Sequence, residues 1–201
     1  PRHGLLSPDA FIPLAEETGL IIALGEWVLE NALRQMAVWR ARGFTSLQLA
    51  INLSPKEFER LDLPERLLGR LSAHAIPAEV LDIEITEHLL MKDAEKNINM
   101  LKQLRHCGVR VSIDDFGTRY SSLNYLRRFP INSIKIDQSF VRDLNPNNQS
   151  STSIIHAIAC IACSFGLRII AEGVETETQR QLLSELDCDD MQGFLFSQPL
   201  T

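Results

Sequence analysis

Cysteine, aromatic residues and positive charge are all scarce in this sequence. Among 201 residues the four cysteines, Cys107, Cys160, Cys163 and Cys188, form no repeated pair of the kind that frames a zinc ion or a disulfide scaffold. Cys160 and Cys163 fall in an apolar helical pattern and read as core packing, because buried free cysteine behaves as a small hydrophobe. Lysine and arginine number 20 against 26 aspartates and glutamates, a formal charge of −6. That balance argues against binding a DNA or RNA polymer, which needs clustered cations to displace counterions from the phosphates. A small anionic ligand stays open if metal ions bring the positive charge. Long apolar runs are also missing, Leu20 to Leu24 being typical of those present, and no charged segment precedes an apolar signal-like stretch. The expected location is the cytoplasm, with any membrane anchor elsewhere in the protein.

Strands alternating with helices fill the chain. Ser7, Pro8 and Asp9 open a first helix, and a second runs from about Leu20 to Arg42 with the stripe Leu24, Val28, Ala32, Met36 and Trp39, stopped by Gly43. Strands follow at Leu47 to Leu53, Val80 to Thr86, Val109 to Asp114, Ser133 to Ile136, Leu167 to Ala171 and Met191 to Leu195. Between them lie a helical turn at Ser54 and helices at Asp93 to His106, Ser121 to Arg128, Ser151 to Phe165 and Glu175 to Leu186. Such alternation predicts an α/β fold with a parallel sheet and right-handed crossovers. Six strands are visible where a closed barrel takes about eight, so the expectation is a TIM-like (β/α) barrel incomplete at its N-terminus.

In a parallel barrel the site lies at the carboxyl ends of the strands. There stand Asn52, Glu84, Asp114 with Asp115, Lys135, Glu172 and Gln192. Singly, each has an ordinary reading: Asn52 an Asx turn, Glu84 a strand carboxylate paired with arginine, Lys135 a snorkelling surface lysine, Glu172 and Gln192 loop residues beside glycine. Together, on successive strands, they form a set of oxygen donors suited to Mg²⁺ or Mn²⁺ rather than zinc, and the five histidines show no metal-pair spacing. Neighbouring strand residues point to opposite sides, so Asp114 and Asp115 can serve one site only if the strand ends between them. Two ions held there would clamp the attacking and leaving oxygens of a phosphoryl displacement. Lys135 would be a cation that positions or helps deprotonate a water. Asp115-Phe116-Gly117 also mimics the kinase metal loop, but the glycine-rich phosphate loop and the His-Arg-Asp loop of kinases are both absent.

These residues resemble the EAL domain family of bacterial cyclic di-GMP phosphodiesterases. The likeness covers essentially all of residues 1–201. It rests on Asn52-Leu53-Ser54, Glu84-Ile85-Thr86-Glu87, Asp114-Asp115-Phe116-Gly117-Thr118 with Tyr120-Ser121-Ser122-Leu123, Lys135-Ile136-Asp137, Glu172-Gly173-Val174-Glu175 and Gln192-Gly193-Phe194-Leu195-Phe196. The resemblance implies hydrolysis of cyclic di-GMP to linear pGpG with two Mg²⁺ or Mn²⁺ ions. It assigns Asn52, Glu84 and Asp114 to one ion and Asp114, Asp115 and Glu172 to the other. Lys135 would orient the nucleophilic water, Gln192 would assist, and Glu87 would brace the loop after Asp115. A homodimer, and sensor or GGDEF domains in the full-length protein, are implied as partners.

Two departures from the family pattern carry expectations of their own. The Glu-Ala-Leu signature, which supplies a further ligand, should fall just before Pro1, so residues 1–201 alone are not expected to turn over. Arg119 stands where the family loop usually has glycine, a cost of about 1–2 kcal/mol if that position needs positive φ. The alternative to an enzyme is an inactive EAL domain that acts as a cyclic di-GMP receptor or protein-interaction module, although such members typically lose motif residues that are intact here. A third reading keeps barrel and metals and changes the substrate to another phosphate ester or an enolisable acid.

Overall fold

Ser7, in extended conformation, and Pro8 start helix α1 (Pro8–Thr18), as a proline pre-set for the first helical turn should. The computed structural model describes residues 6–118, 122–145 and 149–200. These fall into two compact units, one running to Ile83 and including His106–Arg110, the other holding Glu84–Arg105 and the chain from Val111 onward.

In the first unit Gly19, at φ 79°, ends α1 and admits the chain directly into α2 (Leu20–Ala41). Helix α2 buries Ile21, Leu29, Leu33 and Met36, whereas Val28 and Trp39 of the expected stripe are 39% and 38% exposed. The helix is apolar around most of its circumference, so the pattern alone does not select the buried face. Strand β1 (Leu49–Asn52) is shorter than expected and leads into α3 (Pro55–Phe58), which begins with a capping box. The Ser54 amide donates to Glu57 Oε2 at 3.1 Å and the Glu57 amide to Ser54 Oγ at 3.4 Å. A Cβ on Gly25 would lie 1.7 Å from Glu57 Oε1, the tip of a buried side chain that would have to shift. Helix α4 (Leu63–Ala73), absent from the sequence reading, packs Leu63, Leu67 and Leu71 into the same core. Pro64 and Gly69, both poor helix formers, hide its periodicity. A 3₁₀ turn at Ala78–Val80 then delivers β2 (Leu81–Thr86), which lies beside β1.

Strand β2 continues into the second unit. There follow α5 (Glu87–Lys92), α6 (Ala94–His106), β3 (Arg110–Phe116), α7 (Leu123–Leu126), β4 (Ser133–Ile136), α8 (Gln138–Arg142), α9 (Gln149–Phe165), β5 (Arg168–Ala171), α10 (Glu177–Glu185) and β6 (Asp190–Met191). The strands neighbour one another in chain order, and β3–β4, β4–β5 and β5–β6 pair in parallel, as the alternation predicts. The six expected strands are all present, with shifted ends. The last ends at Met191, and residues 193–196 form a turn in which the Phe196 amide donates to the Gly193 carbonyl at 3.1 Å. Short helices α5 and α8 were also not anticipated. Helix α9 buries Ile155, Ile158, Ala159 and Ala162 and packs on β4 and β5. Cys160 and Cys163 lie on its opposite, exposed side, so the core-packing reading of these two cysteines does not hold. No helix among the described residues is long and apolar enough to cross a membrane.

Candidate metal centre

Strand β3 does not end at Asp114 as expected but runs on to Phe116 through a bulge. The register with β4 shifts between Ile113 and Phe116, and Asp115 adopts φ 54°, with its amide 3.1 Å from Asp114 Oδ1. A bulge places one extra residue in the strand, and aspartate is among the few side chains that tolerate left-handed backbone. The two-sided alternation is thereby broken. Asp114, Asp115 and Glu172 each bring a carboxylate oxygen within 4.8 Å of one another.

Lys135 stands among these acids on β4, between Ile134 and Ile136, which are both fully buried, and is itself only 3% exposed. It is therefore no snorkelling surface lysine. Its Nζ contacts Glu84 Oε1 at 2.7 Å, Asp114 Oδ1 at 3.4 Å and Glu172 Oε1 at 2.5 Å. Burial alone would lower the ammonium pKa, but Glu84, Glu172 and Asp114 more than reverse that and hold it above the ordinary lysine range. Glu172 is raised, first by burial, then by Asp114 and Glu84, with Lys135 opposing. One ammonium contacts three carboxylates and Asp115 adds a fourth beside two of them, an excess of negative charge that suits divalent cations, and the all-oxygen donor set fits the hard class.

Burial, reinforced by the charges of Asp114, Asp137 and Glu172, raises Asp115 to about 6. Its folded value lies above the ordinary carboxylate one, so its protonation stabilises the fold. That contribution is complete below about pH 4 and is lost as pH rises through about 6. Divalent-ion binding has the opposite dependence, because only the carboxylate is a ligand. Affinity for Mn²⁺ is expected to fall about tenfold per pH unit below the Asp115 value, as calorimetric titration across that range will read. A flat profile would contradict it.

Asn52 closes β1 in the first unit. Glu87 opens α5, is 1% exposed, and its Oε2 accepts from the Gly117 amide at 3.1 Å, directly after the bulge. Gln192 follows β6, its amide donating to Ala171 and its carbonyl accepting from the Val174 amide at 3.0 Å. Arg119 lies outside the described residues. Sequence reasoning assigned no role to Asp137, which caps α8 by accepting from the Ser139 amide at 2.9 Å and helps to raise the Asp115 carboxyl. The readable signal was an aspartate at a strand-to-helix junction, the ordinary N-cap position.

Gly193 fixes Gln192 in place. A Cβ there would lie 2.2 Å from the Val174 carbonyl oxygen and 2.3 Å from its nitrogen, backbone atoms that cannot step aside. Gly193→Ala is expected to cost about 1–3 kcal/mol in urea unfolding and to shift Gln192. A variant as stable as the parent would show that the close approach is not needed.

The sequence pattern of the EAL domain matches residues 1–199. The chain belongs to the EAL domain family. MucR of Pseudomonas aeruginosa, a bifunctional diguanylate cyclase and cyclic di-GMP phosphodiesterase, is 43% identical over 200 residues, which cover all of this chain and 29% of MucR. The cyclic di-GMP phosphodiesterase PdeR of Escherichia coli is 39% identical over 203 residues, again all of this chain and 30% of PdeR. Among solved structures, the PaMucR phosphodiesterase in complex with c-di-GMP superposes on this EAL domain with TM-score 0.95 at 43% identity, covering 100% of this chain and 81% of that one. The α/β, TIM-like barrel expectation is thus met by a fold shared with EAL structures. This EAL domain spans less than a third of the length of the two curated relatives.

Proposed function

We propose that this EAL domain hydrolyses cyclic di-GMP to linear pGpG in bacterial second-messenger signalling. The observation that carries the reading is the convergence of Glu84, Asp114 and Glu172 on the buried Lys135, with Asp115 brought to the same place by the bulge. The substrate is supported by the c-di-GMP complex of PaMucR, whose sequence is 43% identical.

In this reading Asn52, Glu84 and Asp114 hold one Mg²⁺ or Mn²⁺ and Asp114, Asp115 and Glu172 the other. When bound, the ions supply Lewis-acid stabilisation of charge on the phosphoryl oxygens. The chain's own residues do the rest. Lys135 stays protonated in its cage of carboxylates, so it acts as a fixed hydrogen-bond donor that orients the attacking water. It is not the base in this state, and the carboxylates around it are the groups able to accept the water's proton. Gln192 assists at the same water, and Glu87 holds the backbone after the bulge through the Gly117 amide. Water adds to one phosphorus as its bond to a 3′ oxygen breaks, and that oxygen leaves with a proton. A cytoplasmic location, a homodimer and neighbouring sensor or GGDEF domains accompany this reading, the last supported by the two activities named for MucR.

The test is incubation of the full-length protein with cyclic di-GMP and Mg²⁺ or Mn²⁺, following pGpG by chromatography before and after chelation. Metal-dependent pGpG is expected. Tight binding of cyclic di-GMP with no turnover would replace the enzyme by the receptor.

A further inference from the structure

We infer that the exposed face of α9 carries a second metal site, unlike the carboxylate centre in chemistry, formed by His156, Cys160 and Cys163 and selective for a soft divalent cation of the zinc class. The three residues stand at i, i+4 and i+7, the spacing that puts side chains on one helical face. All three are exposed, while Ile155, Ile158, Ala159 and Ala162 fill the buried face. Packing therefore does not account for them.

His156 Nε2 and Cys160 Sγ are 3.8 Å apart. A tetrahedral ion with ordinary zinc–nitrogen and zinc–sulfur bonds holds its two ligand atoms about 3.5 Å apart, so this pair already forms one edge of such a site. Cys163, one turn further along the same face, supplies the third ligand by rotation of its side chain. Among the described residues, only Asp114, Asp115 and Glu172 have three ligand atoms gathered within 4.8 Å, so the α9 site closes on binding. His156, Cys160 and Cys163 line a cavity of about 710 Å³ whose wall also includes Glu185 and Asp187. The cavity gives an ion room for a carboxylate or solvent fourth ligand, and the acidic wall favours a cation. Binding turns two thiols into thiolates and releases their protons to solvent.

Ligand softness separates this site from the carboxylate centre. Thiolate and imidazole prefer zinc-like ions, whereas an all-oxygen set prefers Mg²⁺ or Mn²⁺. The site stands on residues apart from the proposed active centre, so it neither needs nor tests the phosphodiesterase reading.

The experiment is titration of the full-length protein with Co²⁺ under reducing conditions and excess Mg²⁺, reading the thiolate-to-cobalt charge-transfer band that oxygen ligands do not give. The unchanged protein is expected to show a saturable band. Cys160→Ser and Cys163→Ser should each remove about half or more of one equivalent's amplitude, and His156→Ala should weaken cobalt binding about tenfold or more. These positions are exposed, so circular dichroism should be unchanged in all three variants. No thiolate band, or a band as strong in the cysteine variants as in the unchanged protein, would overturn the site.

Discussion

Replacing Lys135 with methionine is expected to cost about 3–5 kcal/mol of stability and about 10²–10³-fold in turnover. Methionine keeps the length and packing of the lysine stem between Ile134 and Ile136 but removes the one ammonium that Glu84, Asp114 and Glu172 share. Breaking a buried ion pair from one side leaves the other side charged in a poor solvent, which is costlier than the pair was favourable. The loss should be partly restored by Mg²⁺ or Mn²⁺, because an ion that binds only the folded state stabilises by mass action. Urea unfolding of parent and variant, with and without ion, reads both effects. Equal midpoints without ion would refute the account of Lys135 as the charge on which the site depends.

Glu172→Gln should act with the opposite sign on stability while still abolishing most turnover. Burial raises the Glu172 carboxyl, and Asp114 and Glu84 raise it further against the opposing pull of Lys135. Since the folded value exceeds the ordinary one, the favourable contribution of the protonated form is complete at low pH and lost as pH rises. At neutral pH the ionised side chain is a load on the fold. Glutamine keeps the shape without the charge, so a gain of roughly 0.5–2 kcal/mol is expected without added ion. Turnover should fall about 10²-fold or more, because in the proposed centre a ligating carboxylate is replaced by a neutral amide. The stability gap should narrow as the pH is lowered into the ordinary carboxylate range. Thermal unfolding near pH 5 and at neutral pH checks this, and a destabilised variant at neutral pH would show that the carboxylate is a net support.

Much of the centre was legible because β-strands convert sequence position into spatial position simply. An acid or amide at the end of an apolar run in a parallel sheet has few places to be, and Glu84, Asp114, Lys135 and Glu172 do meet. The bulge at Asp114 and Asp115 was not legible. A strand pattern shows which residues are apolar, not where one extra residue is taken up. The buried face of α2 was misread because Leu20, Trp27, Val28 and Trp39 are apolar and exposed, so hydrophobicity did not mark the core side. Helices α5 and α8 were invisible for a different reason, being too short to show a period. The cysteines of α9 were assigned to the core from the apolar helical pattern around them, and only burial could separate them from the face that carries Ala159 and Ala162.

The bulge also determines how the centre can be lost in evolution. Substitutions elsewhere in residues 110–116 leave the strand's residue count intact, so the bulge that brings Asp115 beside Asp114 and Glu172 is kept. Deleting one residue there is a lesion of another kind. It would let the strand pair regularly with β4 and relieve local strain, giving a backbone as well bonded as before, while sending one of the two carboxylates to the far side of the sheet. A frame-preserving loss of a single codon would thus scatter the acids of the proposed centre while leaving a scaffold with its strand pairing intact.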